Sequence, residues 1–320
     1  MFALLLSFGI TVILLPLVIP MLRKLKFGQT ILEEGPKWHE KKKGTPTMGG
    51  IVFILAYVVA TLCFAMNETI NGDYRVVAVM VGAVCFGAIG FADDFIKIFK
   101  KRNQGLTVLQ KFLLQFLFAS AFVVYMSVSG YTSTEISLPF TQATWDLGFF
   151  YYPITIIAIV FINNSFNIAD GIDGLLAAES IPALTAMTLC ALSFAADDMA
   201  TMLTAAIGGT IAFLIFNMNP ASVFIGDTGS LFLGAVFVLS GVTLNLMMLV
   251  FIAGIMMVFE SVSVLLQVGY YKISHGKRLF KMSPIHHHFE LCGWKENKIV
   301  VVFTVITFFA SLLAFLMFGT

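Results

Sequence analysis

Long apolar runs constrain this chain more than any other feature of its sequence. The clearest approach or exceed the roughly 18 apolar residues typical of a membrane-spanning helix; they cover residues 1–22, 48–66, 232–259 and 299–320. Only 12% of the 320 residues are charged, whereas a soluble domain carries about a quarter. The runs do not alternate as the strands of a membrane barrel would. We therefore predict an all-α polytopic membrane protein, with residues 1–320 forming one transmembrane domain.

Ten spans are predicted, and the basic residues orient them. The spans cover approximately residues 1–22, 48–66, 75–92, 107–127, 150–163, 174–195, 199–216, 229–246, 248–271 and 299–320. The loops after the first, third and ninth spans, with their flanks, hold seven, five and six of the 19 Lys and Arg residues. Because basic loops stay cytoplasmic, these loops should face the cytoplasm and both termini the outside. The outer loop 128–149 lacks Lys and Arg and contains several β-formers, so a short hairpin is predicted there.

Acidic residues collect in the same predicted cytoplasmic loops. They are Asp93, Asp94, Asp170, Asp173 and Asp227. A carboxylate beside hydrocarbon is costly unless it is solvated, paired or bound to a metal. Solvation in a loop would explain any one of them, but five acids set among glycines at the ends of different spans favour a shared site.

The spacing of Asp93 and Asp94 predicts that these neighbouring acids have different partners. On a helix, Asp93 and Lys97 stand at i and i+4 and share a face, whereas Asp94 points about 100° away and can serve another partner. An ordinary ion pair at the helix end would also explain Asp93 and Lys97.

Asp227 lies in the Gly-rich turn "FIGDTGS" before a span, which suits an anion or its metal. A helix start capped by Thr228 or Ser230 is compatible with this interpretation.

The stretch "NSFNIADGIDGLLA" repeats polar residues at intervals of three. If it forms one turn, Asn167, Asp170 and Asp173 share a face. Capping of the sixth span by Asp173 is an alternative for that residue alone.

In the ninth span, Glu260, Ser263 and Gln267 form a polar stripe that should face the protein interior. Hydrogen bonding between helices would explain Ser263 equally well.

Two further segments contain groups that could bind an anion. The stretch "KKKGTPTMGG" places lysines before a turn into a helix, which suits phosphate or simply reflects the basic cytoplasmic loop. In "SPIHHHFE", three successive histidines cannot all face one metal from a helix, but they could donate hydrogen bonds to a phosphate or a sugar peptide. Since Mg²⁺ binds one or two carboxylates together with substrate phosphates, these loops indicate phosphoryl transfer between a soluble diphosphate donor and a lipid acceptor.

Five ordered motifs carry a resemblance to a known family. "GTPTMGG", "DDFIK", "FNIADGIDGL", "FIGDTGS" and "SPIHHHFE" resemble the signatures of the polyprenyl-phosphate N-acetylhexosamine-1-phosphate transferase superfamily, and the triple histidine points to the branch that uses UDP-N-acetylmuramoyl-pentapeptide. The resemblance implies a Mg²⁺-dependent enzyme of the bacterial inner membrane that uses undecaprenyl phosphate as acceptor and yields lipid I and UMP, the first membrane step of peptidoglycan synthesis. It also implies a homodimer, inhibition by nucleoside antibiotics and no nucleic-acid partner.

The resemblance assigns roles residue by residue. Asp227 is the expected Mg²⁺ ligand, and Asp93 is the expected base for the lipid phosphate. The remaining catalytic residues are expected to be Asp94, Lys97 and His287. The expected substrate-binding residues, with Phe224 stacking on uridine and Lys42 near phosphate, are Lys42, Thr47, Asn167, Asp170, Asp173, Asn217, Phe224, Gln267, His286 and His288.

Two other functions remain compatible with parts of the sequence. A sibling transferase that uses UDP-N-acetylglucosamine would share most motifs, and "HHHFE" argues against it. An ion-coupled transporter would also place acids in spans and break its helices, but these acids cluster at one face and only Glu260 is placed deep in a span.

Overall fold

The computed structural model describes residues 1–24, 44–100, 104–141 and 143–319. Helices dominate these ranges, and a small two-stranded sheet accompanies them. The helices are α1 (Phe2–Lys24), α2 (Gly50–Phe64), α3 (Asn67–Ile70), α4 (Arg75–Phe99), α5 (Val108–Val128), α6 (Tyr151–Ala169), α7 (Leu175–Ser193), α8 (Asp197–Asn217), α9 (Gly226–Thr243), α10 (Met247–Ala253), α11 (Ile255–Ile273), α12 (Ile285–Leu291) and α13 (Glu296–Phe318).

The membrane-spanning helices confirm the all-α polytopic class. Within the described ranges, eight helices are long and apolar enough to cross a membrane, and the pair α10 and α11 makes nine if it is one broken span. The predicted span at 48–66 is α2, which has only 15 residues. At 1.5 Å per residue such a helix is about 22 Å long, less than the roughly 30 Å hydrocarbon core. The length criterion therefore supports eight or nine of the ten predicted spans.

Two predicted spans differ from the observed helices. The fifth was predicted to end at residue 163, but α6 continues to Ala169. Its polar end remains helical because the side-chain amides find partners; Asn163, for example, donates to the carbonyl of Leu231 at 2.6 Å. The ninth was predicted as one helix, but it breaks at Gly254, where α10 and α11 meet at a bend of 78°.

The predicted hairpin in the outer loop is confirmed. Strands β1 (Glu135–Ser137) and β2 (Thr144–Asp146) pair antiparallel, with Ile136 opposite Trp145. The N–H of Phe140, between the strands, donates to the carbonyl of Met317 near the C-terminal end of α13. The hairpin therefore lies at that end of α13.

Helix α9 is the central element of the bundle. Each of its residues is buried except Asp227, in its first turn. Helices α4 and α6 pack along it, and Phe232 makes edge-to-face contacts with Phe53 and Tyr57 of α2 at ring distances of 5.8 and 5.1 Å. In lipid, such packing rather than the hydrophobic effect holds helices together. The N-terminus of α9, which carries Asp227, is consequently fixed against its neighbours.

Candidate active site

Three aspartates from two helices meet at one end of the bundle. Asp93 and Asp94 lie in the last turns of α4, and Asp227 lies in the first turn of α9. One carboxylate oxygen of each lies within 4.8 Å of those of the other two. The approach depends on Gly90, since a Cβ there would overlap the backbone carbonyl of Asp227. Close packing of α4 on α9 thus brings together acids that are more than 130 positions apart in the sequence.

Two lysines neutralise most of the charge in this carboxylate cluster. The Nζ of Lys97 lies 2.5 Å from Oδ2 of Asp93 and 3.0 Å from Oδ2 of Asp227. The Nζ of Lys111, in the first turn of α5, lies 2.9 Å from the same oxygen of Asp227. Three carboxylates and two ammonium groups leave a formal charge of −1. The pair of Asp93 and Lys97 on one helix face was predicted from their spacing and is confirmed.

The neighbouring acids Asp93 and Asp94 have different partners, as predicted from their angular separation. Oδ2 of Asp94 accepts hydrogen bonds from the backbone N–H and the hydroxyl of Thr228, at 3.0 and 2.8 Å. Oδ1 of Asp93 accepts from the backbone N–H of Leu106 at 2.8 Å. Asp94 therefore ties α4 to α9, whereas Asp93 ties it to the segment before α5. Thr228 is thus a partner of Asp94 and does not cap α9.

Asn167 joins the carboxylate cluster from the end of α6. Its Nδ2 donates to Oδ1 of Asp227 at 2.9 Å and to the hydroxyl of Ser230 at 2.8 Å, while its Oδ1 accepts from Nζ of Lys111 at 2.9 Å. Both oxygens of Asp227 are therefore engaged, one by an amide and the other by two lysines. Asp227 is the point at which α4, α5, α6 and α9 converge.

The donor set of the carboxylate cluster suits a hard divalent cation. All three acids offer hard carboxylate oxygens, which Mg²⁺ prefers, and this ion usually takes one or two carboxylates together with phosphate oxygens. The net negative charge of the cluster attracts a divalent cation. The lysines beside the acids are suited to binding an anion such as phosphate.

The turn between α6 and α7 holds the other two predicted acids, and neither is part of the carboxylate cluster. Asp170 follows the last residue of α6. Oδ2 of Asp173 accepts from Nδ2 of Asn219 at 3.0 Å and from the N–H of Ala221 at 3.1 Å. Helix α7 begins at Leu175 without a side-chain cap, so the alternative that Asp173 caps this helix is wrong. The carboxylate is turned instead to the loop before α9.

Two predicted substrate-binding amides hydrogen-bond to backbone groups of neighbouring loops. Asn217 accepts from the N–H of Gly174 at 3.0 Å and donates to the carbonyl of Val223 at 2.9 Å. Gln267 accepts from the N–H groups of Leu279 and Phe280. The side chains that were predicted to form a polar stripe on α11 are buried, as expected, and Ser263 donates to the carbonyl of Glu260 in its own helix.

The segment before α2 pairs with the segment before α9. The N–H of Phe224 donates to the carbonyl of Pro46 at 2.8 Å, and the N–H of Gly49 donates back to the carbonyl of Phe224 at 2.9 Å. This pairing places Thr47 beside Gly226, next to the carboxylate cluster. Lys42, which was expected near phosphate, lies outside the described residues.

The three histidines of α12 point to three different environments. Nδ1 of His286 lies 3.0 Å from Oε2 of Glu260, and Nδ1 of His287 lies 2.6 Å from Oε2 of Glu290. His288 accepts through Nδ1 from the N–H of Lys281 at 3.1 Å. The prediction that the three cannot face one metal is confirmed, and within the described ranges the metal-compatible group is the carboxylate cluster alone.

Lys111 is a site residue whose place in the sequence indicated only the charge of a basic loop. A signal for it was present, since a lysine in the first turn of an otherwise apolar span is costly unless it faces the protein interior. Its side chain is 17% exposed and contacts both Asp227 and Asn167. The partners themselves could not be found, because they lie 56 and 116 positions away.

Comparison with known proteins identifies the family of this chain. The profile of the glycosyl transferase family 4 matches residues 76–245, and signature 1 of the phospho-N-acetylmuramoyl-pentapeptide-transferases matches residues 42–54. Proteins of the latter name from Listeria monocytogenes serotype 4b (strain CLIP80459) and Halalkalibacterium halodurans are each 44% identical to the chain. The first alignment covers 93% of this chain and 91% of the relative, the second 97% and 95%. The relative from Geobacillus thermodenitrificans is also 44% identical, over 98% of this chain and 94% of its own length. The chain therefore belongs to the phospho-N-acetylmuramoyl-pentapeptide-transferase family.

Proposed function

We propose that the protein transfers phospho-N-acetylmuramoyl-pentapeptide from its UDP-linked form to undecaprenyl phosphate and releases UMP. The observation that carries the proposal is the carboxylate cluster with its two lysines, at one end of a membrane-embedded helix bundle. Such a site can hold a metal-bound diphosphate beside a lipid. The names of the relatives support the identity of the transferred group, because all of those compared are phospho-N-acetylmuramoyl-pentapeptide-transferases.

The reacting groups are assigned to the carboxylate cluster. Asp227, with Asp93 and Asp94 beside it, would hold Mg²⁺, which when bound neutralises charge on the donor diphosphate. Lys97 and Lys111 bind phosphate oxygens and hold them in place for in-line displacement. Asp93 accepts the proton of the lipid phosphate when that phosphate is monoprotonated. Whether a carboxylate or the lipid phosphate attacks the donor, the same cations stabilise the charge that develops.

The donor nucleotide is assigned to the neighbouring loops. Asp170 and Asp173 lie in the turn that follows α6, and Asn167, in the last turn of α6, connects this turn to Asp227. Phe224 stacks on uridine, and His287 and His288, the two partly exposed histidines of α12, form the far rim, with His287 nearest the reaction. Thr47 reaches this space from the opposite side.

The basic loops support a cytoplasmic orientation of this site in the bacterial inner membrane. The hairpin would then lie outside, at the far end of α13. A homodimer and inhibition by nucleoside antibiotics belong to the same proposal, and the resemblance carried by the five ordered motifs supports both.

The choice of donor tests the proposal. Purified protein in lipid nanodiscs should release UMP from UDP-N-acetylmuramoyl-pentapeptide when undecaprenyl phosphate and Mg²⁺ are present. UDP-N-acetylglucosamine under the same conditions is the matched control and should give little release. Preferential release from UDP-N-acetylglucosamine would identify a sibling transferase, and release from neither donor would refute the proposal.

A further inference from the structure

A fully buried contact joins α11 to α12, apart from the carboxylate cluster. Nδ1 of His286 lies 3.0 Å from Oε2 of Glu260, and both side chains are 0% exposed. The backbone N–H of His286 lies 3.5 Å from the same oxygen. A buried carboxylate requires a close partner, and the imidazole supplies one, although the contact at Nδ1 lacks hydrogen-bond geometry. Glu260 therefore limits where the imidazole can lie through a close polar contact.

The other ring nitrogen of His286 faces the turn between α6 and α7. A Cβ on Gly171 would overlap Nε2 of His286, so the backbone of this turn packs directly against the imidazole. Gly171 adjoins Asp170 and precedes Asp173 by two positions. A change in the ring orientation of His286 would therefore displace the backbone that carries both acids.

The polar groups around this contact are costly to bury. Within the described part of the chain, Oε1 of Glu260, both ring nitrogens of His286 and both carboxyl oxygens of Glu179 on α7 are buried without a hydrogen-bond partner. Each such atom costs about 1–3 kcal/mol, and an apolar group in the place of a buried ion pair is often neutral or stabilising. Stability alone therefore does not explain why Glu260 lies here.

We infer that Glu260 is a positioning residue for the donor, which acts through the buried imidazole of His286 to hold the turn of Asp170, Gly171 and Asp173. This inference rests on the proposed function, since it assigns the turn to the donor nucleotide. Glu260 itself does not touch the substrate. It determines the position of the imidazole, and the imidazole determines the position of the turn.

Separate KM values for the two substrates test this role. Glu260→Gln keeps the shape of the side chain but loses its charge, so the imidazole is held less firmly. The KM for the UDP-linked donor should rise about tenfold, the lower end of the roughly 10- to 100-fold effect of changing residues that orient metal-ligating histidines. The KM for undecaprenyl phosphate should stay unchanged, because the acceptor does not contact the turn. A general loss of folded protein would instead lower the apparent kcat and the thermal midpoint without a selective rise in the donor KM.

A double mutant separates action through His286 from an independent effect. Gly171→Ala pushes the imidazole away from the turn and should raise the same donor KM. If both changes act through His286, their effects will be non-additive and the double mutant will be no worse than the worse single mutant. Additive effects, or equal changes in both KM values, would overturn the inference.

Asp198→Asn is the matched control. Asp198 is buried like Glu260, but it lies in the first turn of α8 and its partners are Asn67 and Glu68 rather than His286. This variant should leave the donor KM unchanged; a tenfold rise here would also overturn the inference, since any buried charge would then matter equally. A wild-type protein that released no UMP would instead refute the proposed function.

Discussion

Replacing Lys111 by methionine should abolish most turnover while the bundle stays folded. The ammonium group of Lys111 donates to Oδ2 of Asp227 and Oδ1 of Asn167, both at 2.9 Å. Hydrogen bonds to charged groups contribute about 1.5–3 kcal/mol each to stability. Asp227 keeps its contacts with Lys97 and Asn167, so the loss in stability should stay within a few kcal/mol.

The effect on the rate should be larger, because a cation is removed where charge develops on the transferred phosphate. Loss of one such stabilising group costs about 2.7–4 kcal/mol, or roughly 100- to 1,000-fold in kcat. The assay is UMP release by protein in nanodiscs, with the thermal midpoint measured on the same samples. Lys100→Met is the matched control, since Lys100 is exposed one residue beyond α4 and makes no ion pair with the described acids. A kcat for Lys111→Met within a few-fold of the wild type would refute the proposed role of this lysine.

Three further changes probe other parts of the molecule. Asp93→Asn should block turnover yet leave binding of a uridine-containing inhibitor largely intact in calorimetric titration, whereas Asp173→Asn should weaken that binding; the reverse pattern would contradict the division into acceptor and donor sides. In intact cells that express the protein without its native cysteines, a membrane-impermeant maleimide should label Ser133→Cys but not Lys277→Cys. Labelling of Lys277→Cys would contradict the predicted orientation. Asn217→Ala leaves two buried backbone groups unpaired, at about 1–3 kcal/mol each, so the thermal midpoint should fall by several degrees; an unchanged midpoint would show that this amide bridge is dispensable.

The sequence predicts the pairing within one helix but not the meeting of separate helices. Asp93 and Lys97 share a face because helical spacing dictates it, and their ion pair was predicted. The approach of Asp227 to Asp93 depends instead on Gly90, which allows α4 to touch the backbone of α9. No local pattern encodes that contact, although the cost of acids beside hydrocarbon indicated that the acids would gather.

The conformation of the turn after α6 also could not be predicted from the spacing of its residues. A spacing of three predicted that Asn167, Asp170 and Asp173 would share a face, but α6 ends at Ala169, so only Asn167 is helical. Asn167 therefore joins Asp227, and Asp173 turns to Asn219 and Ala221. Because tertiary contacts with the segment 217–223 set these helix ends, the periodicity of the sequence could not locate them.

The Mg²⁺ dependence of UMP release, measured for the wild type and for Asp227→Asn, tests most directly whether the carboxylate cluster is a metal-dependent phosphoryl-transfer site. The wild type should be inactive after chelation and should recover with a saturable Mg²⁺ titration. Asp227→Asn should remain folded but lose at least roughly 1,000-fold in rate at saturating Mg²⁺, since a carboxylate that orients the metal supplies several kcal/mol of transition-state stabilisation. Metal-independent release by the wild type, or a normal titration by Asp227→Asn, would contradict the assignment.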